Sequence, residues 1–125
     1  MRMGIKLIKI SVVYFAVGIL LGYYMSISHN YELTPVHVHI NLLGWTSLTL
    51  AGILYYLFPS FSNHKLAKMH AWLHNLGLPI MMIGLFLMTV LNRESITPVI
   101  AVGATLTTVG ILLFVYHVLA HLKSE

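Results

Sequence analysis

Ten acids and bases punctuate this chain and leave four long stretches between them with no charge at all. Arg2, Lys6 and Lys9 come first, then Glu32, Lys65 and Lys68, Arg93 and Glu94, and Lys123 and Glu125. The charge-free intervals are residues 10–31, 33–64, 69–92 and 95–122. A helix needs about 20 apolar residues to cross a bilayer core, and every interval is long enough. Charged residues are 8% of the chain, where soluble domains carry about 25%. This excludes a water-soluble globule, a disordered tail and a nucleic-acid-binding domain. The sequence pI of about 9.5 comes from a few lysines at the ends of the apolar stretches. A phosphate-reading surface instead gathers Lys and Arg on one face.

At 125 residues the chain is one domain, 1–125. The expected fold is all-α, a polytopic membrane protein with four transmembrane helices. The first runs over Leu7–Ser26 and is read as a retained span. Its apolar run is too long for a signal-peptide core, and no A-x-A site follows. The second runs over Val36–Phe58 and stops at Pro59. The third covers Met69–Leu91, with a bend expected at Pro79. The fourth covers Ile96–His121, with Pro98 in its first turn. Short connections favour antiparallel neighbours. Arg2, Lys6, Lys9, Lys65, Lys68 and Lys123 fall on one side and Arg93 alone on the other. That asymmetry places both termini in the cytoplasm of a cell-membrane protein.

There is no cysteine. Disulfides, iron–sulfur clusters, thiolate ligation and covalent c-type haem attachment are excluded with it. Eight histidines carry what chemistry the chain has, because histidine in or beside a span is costly and marks function by default. The topology sorts them. His29, His37 and His39 lie at the outer end. His64, His70, His74, His117 and His121 lie at the inner end. A helix of about 23 residues rises roughly 35 Å, so one metal or haem cannot join the two groups within a chain.

His37 and His39 open the second helix two residues apart. At about 100° per residue they point roughly 200° apart. They cannot chelate one ion from a regular helix, but they can serve cofactors on opposite faces or be wetted by headgroups. The run around them is PVHVHINLLGWTSLTLAGILYYLFP, residues 35–59. Along it, His37, His39, Leu43, Gly44, Trp45, Gly52, Leu54, Tyr55, Tyr56, Leu57 and Pro59 form the pattern H-V-H, L-G-W and G-x-L-Y-Y-L-x-P. This run resembles the haem-ligating tenth helix of haem–copper oxidase catalytic subunits, closest to the C-family oxidases and nitric oxide reductases. MHAWLHNLG, residues 69–77, is similar to the helix that follows there.

The resemblance implies that His37 and His39 ligate haem iron, with haem b as cofactor. It implies that Arg93 pairs with a haem propionate, although a plain interfacial anchor reads equally well. Gly44, Ser47 and Ala51 share a helix face, with Gly52 at its edge. That stripe would leave room for a porphyrin or for a neighbouring helix. The copper-site ligands of the family are missing, so terminal oxidase activity by one chain is not expected. The chain resembles one four-helix repeat of the family's core. Three copies would rebuild the core as a homotrimer with haem between subunits, His37 of one facing His39 of the next. His29 is the alternative second ligand within a chain.

His70 and His74 are spaced i, i+4, and so are His117 and His121. Each pair shares a helix face. Together they could form a second metal site, hold a second haem, or be polar anchors at the inner interface. His64, in a loop, reads as solvated. The function expected is electron transfer or binding of a diatomic gas such as O2 or NO at a b-type haem. A di-haem electron carrier, or a metal- or haem-handling protein without redox turnover, is the alternative.

Overall fold

The computed structural model describes residues 2–124, so Glu125 lies outside it. Four helices are long and apolar enough to cross a membrane: Met3–Ser28, Thr34–Leu57, Lys65–Leu91 and Glu94–His121. They are called the first to fourth spans below. No strand occurs among the described residues. The first and third spans begin one turn earlier than expected, at Met3 and Lys65, which takes Lys6, Lys65 and Lys68 into helix.

The connections follow local chemistry. The first span ends at His29, in the left-handed region at φ 55°. An Asx turn follows, with Glu32 N–H donating to Asn30 Oδ1 at 3.0 Å. Pro35 lies in the first turn of the second span, where its missing N–H costs nothing. Pro59 ends that span at Phe58 and starts a one-turn helix, Pro59–Ser62. Asn92, at φ 54°, closes the third span. That span carries Pro79 inside one continuous helix.

The second span holds a feature that the sequence did not announce. Between Thr34–His39 and Ser47–Leu57 the helix widens into a π segment, Ile40–Thr46. Ser47 N–H reaches back five residues to the Leu42 carbonyl. Returning from a five-residue to a four-residue ladder leaves one carbonyl of the segment without an amide.

Glycines set the packing within each antiparallel pair. A Cβ on Gly4 would lie 2.6 Å from the Gly52 carbonyl oxygen, so the first two spans touch backbone to backbone. In the second pair, a Cβ on Gly77 would meet Thr107 N at 2.6 Å, and one on Gly103 would strike Met81 N. Small residues permit such contact where no water drives association.

The two pairs meet over two apolar clusters. Leu7, Leu48, Ala51, Tyr55, Phe61 and Ala67 fill the end that carries the lysines. Val36, Ile40, Leu78, Met81 and Met82 fill the opposite end. The outer surface is apolar instead of polar. Leu119 is 82% exposed and Trp72 is 68% exposed, as a lipid-facing surface requires.

Gly103→Leu should therefore destabilise the bundle strongly, by about 1–3 kcal/mol or more for overpacking. Ala101→Leu, on the exposed face of the same helix, should change little. Thermal unfolding in detergent micelles compares them directly.

Candidate functional site

The histidines separate into three groups, each held by different elements. At the end away from the lysines, His37 and His39 take opposite sides of the second span. His37 lies against the first span: its Nδ1 is 2.9 Å from the Gly18 carbonyl oxygen, and its ring rests on Gly22. The Asn41 amide, 3.3 Å from the same nitrogen, donates instead to the His37 carbonyl at 3.0 Å. His39 Nδ1 is 2.7 Å from the Pro35 carbonyl oxygen. A carbonyl only accepts, so Nδ1 carries the proton of each neutral imidazole and Nε2 its lone pair. Neither Nε2 has a partner among the described residues, and neither is sealed in the interior.

His39 borders a cavity of about 300 Å³ formed with Leu43, Met81, Ala104, Thr107 and Ile111. Three spans therefore wall the space in front of this side chain. Arg93 is exposed and lines a different cavity of about 630 Å³, with Glu32 and Glu94. His29 is exposed at its helix end. The stripe of small residues is occupied by the first span. Gly44 underlies the Tyr14 ring, with a Cβ there only 2.5 Å from Tyr14 Cγ, and Gly52 meets Gly4. Trp45 stacks on Phe15 at 4.4 Å between centroids.

The second group runs through the middle of the bundle. Tyr55 Oη is 2.7 Å from His70 Nδ1. His70 Nε2 is 3.0 Å from His74 Nδ1. His74 Nε2 is 2.9 Å from the Leu43 carbonyl oxygen. For neutral imidazoles that terminal acceptor forces every direction. His74 Nε2–H donates to Leu43, His70 Nε2–H donates to His74, and Tyr55 O–H donates to His70. Leu43 belongs to the π segment, whose ladder leaves a carbonyl free. His70 and His74 are each 1% exposed. They are not anchors at an interface, and all four of their ring nitrogens are engaged within the protein.

The third group lies at the lysine-rich end. His117 Nε2 donates to the Phe61 carbonyl at 2.9 Å. Its Nδ1 is 2.9 Å from His121 Nδ1. His64 is the N-cap of the third span, accepting from Leu66 N–H at 3.0 Å. It is half-buried instead of solvated. The ligand atoms of His64, His117 and His121 all lie within 4.8 Å of one another. The pairs His70/His74 and His117/His121 thus do not form one four-histidine site. His64 joins the latter pair, a partnership invisible in the spacing because 53 and 57 residues separate it from them.

No family model matches the chain, and no solved structure matches it.

His74→Leu should leave the Leu43 carbonyl and a His70 N–H without partners. Each unsatisfied buried group costs about 1–3 kcal/mol. Tyr55→Phe leaves one such group, the His70 Nδ1 acceptor, against two for His74→Leu, and should cost about half as much. Denaturation of the two variants in the same micelles checks the order.

Proposed function

We propose that this chain is a membrane b-type haem protein, with His39 and His37 as iron ligands, serving electron transfer or binding of O2 or NO. The observation that carries the reading is the state of the two imidazoles. Each has Nδ1–H fixed on a backbone carbonyl, at 2.9 Å and 2.7 Å, and an unpartnered Nε2. Axial histidines are held in this manner, the second nitrogen setting tautomer and ring orientation. The residues near His39 give its cavity the mostly apolar lining that a porphyrin face requires, with Leu43, Met81, Ala104 and Ile111 beside Thr107 and Thr108, and a ring there would extend beyond the roughly 300 Å³ they enclose. A bound haem supplies one-electron chemistry or a site for a diatomic ligand. The protein's part is to present imidazole, exclude water and hold the ring's orientation. The resemblance of residues 35–59 and 69–77 to haem–copper oxidases points the same way.

The resemblance of the chain to one four-helix repeat of the haem–copper oxidase core is what suggests a head-to-tail homo-oligomer. Such contacts close into rings when the rotation allows, and a trimer would place one haem between each pair of chains. Arg93 then offers its guanidinium to a propionate.

Expression with haem available should give sharp reduced bands in the visible spectrum. His39→Ala should remove most of the haem, and His121→Ala should leave it in place. Loss of haem from His121→Ala but not from His39→Ala would refute the assignment. Native mass spectrometry in detergent should show three chains and three haems, whereas a haem-loaded monomer would refute the trimer. For the orientation, reporter fusions after Arg93 and after Lys123 should report opposite sides of the cell membrane, the latter cytoplasmic.

A further inference from the structure

The lysine-rich end carries a constellation that the haem reading does not use. His64, His117 and His121 come from two elements, the start of the third span and the end of the fourth, and their ligand atoms fall within 4.8 Å of one another. We infer that these three imidazoles form a binding site for a divalent cation that favours nitrogen ligands, Zn2+ or Cu2+.

Three features of the geometry carry this. First, His117 is prepared as a ligand. Its Nε2–H is committed to the Phe61 carbonyl at 2.9 Å, and its ring is clamped face to face on Phe61 at 4.0 Å and 6°. Nδ1 is therefore a lone pair in a fixed direction, with the outer partner that metal-bound histidines usually have. Second, that lone pair meets His121 Nδ1 at 2.9 Å. Nitrogens about 2.0–2.1 Å from a tetrahedral ion stand only a few tenths of an ångström further apart. An ion can thus take the place of the shared proton with a small rotation of the less buried His121. Third, His64 closes the group from the loop side, its ring 4.4 Å from His121 and 4.7 Å from His117.

All three donors are imidazole, and among the described residues no carboxylate or thiolate joins them. That set selects borderline metals over Ca2+ or Mg2+. The three side chains border a cavity of about 360 Å³ that also reaches Ser60 and Lys123. A fourth coordination position would open into this space, the arrangement that leaves room for water or a small ligand. His64 has a second duty, because its Nδ1 caps Leu66 N–H. Ligation through that atom would exchange a helix cap for a metal bond, so occupancy of the site is coupled to the start of the third span.

The test uses the full chain in detergent, stripped with a chelator and titrated with ZnCl2. The expected result is one zinc per chain, with three nitrogen neighbours at about 2.0–2.1 Å by X-ray absorption. His121→Ala and His64→Asn should each weaken binding by about 100-fold or more, since loss of an outer-shell partner alone costs about 10–100-fold. Asparagine at position 64 keeps a capping side chain, so this variant separates lost ligation from lost folding. His29→Ala, at the opposite end, should bind as the parent does. Equal zinc binding by the parent, His121→Ala and His64→Asn would overturn the site, as would an all-oxygen coordination shell or no binding by the parent. Zinc content is read independently of haem, so this site and the haem assignment stand or fall separately.

Discussion

The hydrogen bond from His74 Nε2 to the Leu43 carbonyl is the point on which the interior turns. In an apolar bundle no water reaches a buried N–H, and each unmet polar group costs several kcal/mol. Two histidines in the third span must therefore find acceptors inside the protein. The second span supplies one by widening into the π segment, and Tyr55 supplies the donor at the other end. One backbone irregularity and three polar side chains thus satisfy each other across the interface between the two helical pairs. His117 does the same at the lysine-rich end, on the carbonyl of Phe61. Both bonds are directional, so they set how the pairs are seated, which apolar contacts alone leave loosely defined.

The small residues give the complementary constraint. Gly4 with Gly52, and Gly77 with Gly103 and Thr107, bring helices to backbone contact within each pair. Between pairs the contact is made by larger side chains, among them Tyr55, Phe61, Met81 and Met82. The molecule is therefore two tight hairpins joined by a side-chain layer. All three histidine groups bear on that division. His39 looks into the space that the second span shares with the other hairpin, the Tyr55–His70–His74 series crosses it, and His64, His117 and His121 sit at its mouth.

Much of this was readable in the residue order. Four charge-free stretches, with Pro35 and Pro98 at helix starts and Pro59 at a helix end, fix the number and rough limits of the spans. The i+2 spacing fixes the opposed directions of His37 and His39, because both precede the π segment. The partners of His70, His74 and His117 were not readable, since i, i+4 spacing gives a shared face but not what that face meets. The π segment itself leaves no compositional mark. It answers to a donor more than thirty residues away, and only the folded chain brings that donor near. His64 illustrates the same limit: a loop histidine becomes a cap and a cluster member once the fourth span folds back over it.

The buried Tyr55–His70–His74 series has a further property. Its donors all point one way, and it terminates on an amide oxygen that has no proton to hand on. A proton entering beside Tyr55 could polarise the series but could not leave at Leu43, and the series could not reset by rotation within so close a packing. What looks like a wire through the bundle is electrically a blind alley. Through these residues, the protein holds polar groups deep in an apolar layer without opening a proton path along them.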